Sequence, residues 1–111
     1  MKEWYSVRCI FHHPKLNKKE GEFLYEERIL LWEAESLDQA IDMAETEAKE
    51  YEKNVNCIYS GLAQGYHTYI ETPESGSEVF SLMREDESSP DEYLDFYFDT
   101  GEERQKNYKE D

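Results

Sequence analysis

Little in this sequence points to cross-links, membrane spans or cofactors. Only two residues are cysteine, Cys9 and Cys57, too few for a disulfide scaffold and in keeping with a reducing cytoplasm. No apolar run approaches the roughly 20 residues that a membrane span needs, and Met1-Lys2-Glu3-Trp4 does not begin a signal peptide. Bases are scarce: 12 Lys and Arg stand against 27 Asp and Glu, a net charge of −15 with His neutral. Phosphates would repel such a chain, which argues against direct nucleic-acid binding. Aromatics, by contrast, reach 14%, with nine Tyr, five Phe and two Trp. An acidic disordered chain would be poor in them, so this one is expected to fold. Its 111 residues suit one compact domain that buries roughly two-thirds of its unfolded surface. That domain is expected over residues 1–104, with a polar tail at 105–111.

The charge is uneven. Residues 1–34 hold six acids and six bases, residues 35–84 ten acids and three bases, and residues 85–111 eleven acids and three bases. The first third is therefore neutral, and the rest carries the negative field.

Residues 4–12 alternate as a strand, with Tyr5, Val7, Cys9 and Phe11 on one face and Ser6, Arg8 and His12 on the other. His13 to Gly21 has loop chemistry, with Pro14, Asn17, Lys15, Lys18 and Lys19. A second extended run spans Glu22 to Ala34. Phe23, Tyr25, Ile29 and Leu31 share a face interrupted by Glu27, and Leu30 and Trp32 make the other face partly apolar, as in a central strand or one covered at a dimer contact. Ser36 and Gln39 have capping-box spacing. Leu37, Ala40, Ile41, Ala44, Ala48 and Tyr51 then form the apolar stripe of a helix expected over 37–53. Cys57 to Ile70 reads as one long strand or two short ones, with Gly61 and Gly65 marking a bulge, a bend or close backbone contact. Glu78 to Arg84 alternates as a fourth strand. Ser89-Pro90-Asp91-Glu92 starts a short aromatic helix running through Tyr93 to Phe98. The expected fold is α+β in the order ββαββα, an antiparallel four-stranded sheet with two helices on one face.

The search for chemistry is mostly negative. No CxxC, HxH or HExxH spacing is present, and His12 and His13 are adjacent and diverge on a strand, so no metal and no cofactor is expected. There is no GxSxG, P-loop or GxGxxG, and Glu26 and Glu27 would face opposite sides of a strand, so no catalytic residue and no enzyme activity is expected. One polar constellation stands out. Arg8, Glu26, Arg28, Glu78 and Arg84 line one sheet face if all four strands form. The plain reading is a solvated face of ion pairs, each worth under about 1 kcal/mol. The functional reading is a recognition surface framed by Trp4 and Trp32.

At Tyr5-Ser6-Val7-Arg8, Tyr25-Glu26-Glu27-Arg28, Glu78-Val79-Phe80-Ser81 and Asp99-Thr100-Gly101-Glu102-Glu103-Arg104, the chain resembles a family of small bacterial proteins, domain of unknown function 4288. The resemblance covers nearly the whole chain and implies a single-domain α+β protein. It supplies no activity and no ligand residues to carry over.

Three functions compete. The first is a non-enzymatic binding protein, most concretely an acidic immunity or antitoxin-like protein whose field speeds encounter with a basic toxin. Its candidate surface is Asp38, Asp42, Glu45 and Glu52 on the first helix, with Glu85, Asp86, Glu87, Asp91 and Asp95. The second is a homodimeric structural or regulatory domain. The third is a small-ligand module on the Arg8, Glu26, Arg28 and Arg84 face. The cysteine usage and the lack of a signal peptide or apolar span lead to the expectation of a cytoplasmic protein, and acidity and the lack of a span to that of no nucleic-acid or membrane partner.

Overall fold

In the computed structural model, residues 1–14 and 23–98 are described. Two elements open the chain, β1 (Glu3–His12) and β2 (Tyr25–Ala34). They are followed by α1 (Leu37–Val55), β3 (Ile58–His67) and α2 (Pro90–Phe98). Two compact units result, Met1–Ser81 and Leu82–Asp111.

The first unit is a three-stranded antiparallel sheet in the order β2-β1-β3. The alternation of β1 is the reason it takes the centre. Tyr5, Val7, Cys9 and Phe11 are all buried beneath α1, and Ser6 on the opposite face is fully buried as well. Helix α1 starts where Ser36 Oγ accepts from Gln39 N–H (3.0 Å) and Gln39 Oε1 accepts from Glu35 N–H (2.7 Å), which satisfies donors that the first turn leaves open. It ends at Asn56, whose backbone is left-handed (φ 59°), a conformation asparagine tolerates. Ala40, Ala44 and Ala48 recur every four residues and are buried. Their small side chains let the helix lie close on the sheet. Gly65 matches them from below: a Cβ there would stand 2.6 Å from Leu37 Cδ1 and 3.2 Å from Ile41 Cδ1.

Of the two alternatives for 57–70, a single strand forms over Ile58–His67, with an irregularity. Cys9 pairs with Ala63 but Phe11 with Tyr59, so Ser60, Gly61 and Leu62 face the single residue Ile10. Gly61 has φ 88°, a backbone that side chains with a Cβ resist. Gly61→Ala is expected to lower stability by about 1 kcal/mol, read as a lower urea midpoint with an unchanged slope.

The four-stranded sheet is corrected to three strands. Residues 78–84 alternate in hydrophobicity, but alternation does not supply a backbone partner. After β3, Thr68 carries the pairing one residue further, its N–H and Oγ1 both donating to Trp4 O. Tyr69 is left-handed (φ 58°) and Pro73 follows, so the chain leaves the sheet edge instead of running alongside it. The α+β class stands. Helix α1 covers one face of the sheet, β2 is an edge strand and not a central one, and α1 extends to Val55, past the expected end at 53. In the second unit, Ser89 caps α2 through a reciprocal pair with Glu92, Ser89 N–H to Glu92 Oε1 (3.0 Å) and Glu92 N–H to Ser89 Oγ (3.3 Å). The lysine loop at 15–19, the 99–104 motif and the 105–111 tail lie outside the described residues.

Candidate functional site

Directly opposed residues in an antiparallel pair share a face, and the register therefore assigns every polar side chain. Opposite Phe11 and Cys9 stand Glu26 and Arg28, so both lie on the helix side. There Arg28 donates twice to Glu47 on α1, at 2.9 and 3.2 Å, with its guanidinium 3.5 Å from the Tyr51 ring centroid. Glu26 accepts from Tyr51 OH at 2.8 and 2.9 Å and pairs with His13 Nε2 at 2.7 Å. Glu45 accepts from Tyr59 OH (2.9 Å) and Glu52 from Tyr59 N–H (2.8 Å). The half of the sheet–helix interface at the hairpin end is thus a satisfied polar network.

Burial raises the hydroxyl pKa of Tyr59, and the neighbouring Glu45 carboxylate raises it further. Tyr51 is raised by burial and then by Glu26. In the folded chain both phenols hold their protons above pH 10, where an unfolded chain would lose them. Their contribution is therefore complete below about pH 10 and fades as pH rises past it. An ultraviolet titration is expected to show phenols, Tyr59 above all, that ionise later than free tyrosine and together with the loss of the fold.

The other face is open to a different set. Arg8 donates to Glu27 (3.0 Å) and to Gln64, and Phe80 lies 5.0 Å from its guanidinium carbon. Tyr66 packs against Phe80 (5.6 Å between centroids) and donates to Glu78. Toward the hairpin end, His12 contacts Phe23 and Tyr25. Tyr25 is 63% exposed, Ile29 42% and Ile58 49%. The register places Tyr25 and Ile58 on either side of His12, and Ile29 opposite Arg8, so this apolar surface shares a face with Arg8.

The structure therefore divides the expected polar constellation. Arg8 and Glu78 meet on the open face, where Tyr66 and Phe80 link them. Glu26 and Arg28 lie on the other face, because they are an even number of residues from Trp32, the partner of buried Tyr5. Arg84 belongs to the second unit, where it donates to Tyr93 OH (2.8 Å) and stacks on Tyr97 (4.6 Å). The acidic stripe of α1 is also divided. Asp38 and Asp42 are exposed, but Glu45 and Glu52 are half-buried and bonded to Tyr59, while Lys49 and Lys53 share the solvent side. Glu85, Asp86, Glu87, Asp91 and Asp95 are exposed in the second unit. There Asp86 accepts from Ser88 N–H (2.8 Å) and Tyr97 OH (3.2 Å), and the bonds from Ser88 hold its carboxyl below the usual range. An open cavity of about 440 Å³, lined by Arg84, Asp86, Ser88, Pro90, Tyr93 and Leu94, lies in that unit. Residues that the sequence reading passed over are Gln64, Tyr66 and Phe80 around Arg8. Parity with Arg8 along β1 could have singled out the face, but the β3 register could not be read before the bulge was known.

Among the described residues, no three His, Cys, Asp or Glu side chains are placed to hold a metal ion, and no helix is long and apolar enough to cross a membrane. Cys9 and Cys57 are free and buried, and burial raises both thiol pKa values. No curated protein and no solved structure matches the chain. The family model described as "Domain of unknown function (DUF4288)" matches residues 4–81, nearly the whole of the first unit, and the chain belongs to that family.

Proposed function

We propose that this chain is a non-enzymatic protein-binding protein of the immunity or antitoxin kind, and that it docks a basic partner through the open face of its sheet. The observation that carries this reading is the hairpin end of that face, which exposes Phe23, Tyr25, Ile29 and Ile58 on a molecule of net charge −15. Contiguous exposed apolar surface is the usual mark of a contact site. The charge supplies speed and selectivity instead of contact area. Asp38, Asp42 and the acids of 85–95 act in this way, as the source of the field that draws a basic surface in. Both thiols, raised by burial, are poor nucleophiles, which favours binding over catalysis. Unpaired cysteines suit a reducing, cytoplasmic setting.

A homodimer would use the same face, but it would bring two charges of −15 together, and self-repulsion counts against it. A small-ligand module on Arg8, Glu26, Arg28 and Arg84 has less support, because those groups do not share one face.

The test is affinity capture from native-host lysate at low and moderate salt, with wild type and two variants. One stoichiometric basic protein is expected, weakened by salt. It should be lost with Tyr25→Ala/Ile29→Glu and kept, with slower association, by Asp38→Asn/Asp42→Asn. Retention by the sheet-face variant would refute the docking surface. Recovery of the chain alone, with twice the 13.3 kDa mass in light scattering, would establish the homodimer.

A further inference from the structure

The segment after the Glu74–Ser77 turn is the least expected feature of the first unit. Its sequence is strand-like, yet among the described residues no backbone hydrogen bond ties 78–81 to the sheet. What holds it is side-chain chemistry at two positions. Glu78 accepts from Tyr66 OH, and Phe80 lies on Tyr66 and over Arg8. Positions two apart are the ones an extended segment presents to the same side.

The fit is incomplete. Ser6 lies beside Tyr66 on this face, is fully buried and has no partner for its hydroxyl. Arg8 has side-chain partners at both terminal nitrogens, but its Nε is buried without one. Buried polar groups left unpaired cost about 1–3 kcal/mol each, and native structures keep few of them.

We infer that the β1–β3 half of the open face is a docking groove for an extended peptide segment with a carboxylate and an aromatic side chain two positions apart. Glu78–Phe80 fills it as an internal stand-in. A competing segment gains over the stand-in by offering a hydrogen-bond acceptor to Arg8 Nε and a partner to Ser6 Oγ. Because the stand-in is tethered, it holds the groove closed to weak ligands and yields only to one that makes those extra bonds. The inference takes its location from the docking face proposed above, but its test uses a defined peptide, so its failure would leave the basic-partner reading standing.

The probe is a fluorescent peptide of residues 74–84, titrated into full-length wild type and into Glu78→Ala/Phe80→Ala. Amide chemical shifts report where it binds. Binding to the double variant is expected to be at least tenfold tighter than to wild type, with shifts centred on Arg8, Gln64 and Tyr66. It should disappear when alanine replaces phenylalanine in the peptide. Equal binding to both proteins, or none to a double variant with a folded spectrum, would overturn the inference. If the double variant fails to fold, Glu78→Gln removes only the carboxylate and should show a smaller gain in the same direction, and no gain there would overturn the inference. A wild-type dimer that dissociates in either variant would also overturn it, in favour of exchange of this segment between two copies.

Discussion

Phe11→Ala is expected to lower stability by about 4 kcal/mol, the largest effect of any single substitution in the first unit. Phe11 is fully buried, and its ring meets Tyr51 at 5.0 Å and Tyr59 at 5.4 Å, with the Arg28 guanidinium 5.7 Å away. Truncation removes the transfer free energy of the ring and leaves a cavity. Tyr51 and Tyr59 cannot collapse into that cavity without breaking their bonds to Glu26 and Glu45. Small domains have total stabilities of about 5–15 kcal/mol, so a loss of this size removes from about a quarter to most of the total. Urea titration followed by tryptophan fluorescence measures this, since Trp32 packs against the same core. A loss under about 1.5 kcal/mol would mean that the interface repacks freely.

Arg28→Met is expected to cost about 2–3 kcal/mol, below the 3–5 typical when one partner of a fully buried pair is removed. The discount reflects exposure, since the Arg28 and Glu47 side chains are 21% and 32% accessible. The cost arises from what remains: Glu47 loses a two-bonded partner, and Tyr51 loses the cation stacked on its ring. A second change, Glu47→Met, should restore most of the loss, because replacing both members of an ion pair with apolar groups is often close to neutral. The coupling energy from the full cycle of single and double variants measures the pair itself. If the double variant is no more stable than Arg28→Met, Arg28 acts through its aromatic contacts and not through Glu47.

One effect falls on β1 and the other on β2, both on the face that α1 covers, and the sequence marks β1 and α1 well. The strict alternation of Tyr5, Val7, Cys9 and Phe11 and the stripe of Ala40, Ala44 and Ala48 each carry one strong period. Each pattern can be read within its own element, and the two faces bury one another. The Ser36 cap is equally local. Strand β2 is harder to read because both of its faces are mixed. Glu26 and Arg28 look like solvent-facing residues, and Tyr25 and Ile29 look like core. The structure reverses this, since the helix-side pair find Tyr51, His13 and Glu47 waiting for them. A charge is buried readily when its partners are supplied by another element, and no single segment reveals those partners.

The sequence by itself determined the α+β class, the alternating faces of the first strand, the first helix with its cap and the membership of the family. These follow from composition and from periods of two and 3.6 residues, which are local quantities. Tertiary structure alone decided that the sheet has three strands, that Arg8 and Arg28 part to opposite faces, and that Glu78 and Phe80 cross a face instead of extending an edge. Each of these turns on pairing register and on which side of the sheet receives the helix. A one-residue change in register moves every side chain of a strand to the other face. The pairing of Cys9 with Arg28 and of Arg8 with Ile29 sets the two arginines apart, and the path of the chain after Tyr69 brings Glu78 and Phe80 to Tyr66 and Arg8, both matters of residues far apart in the chain.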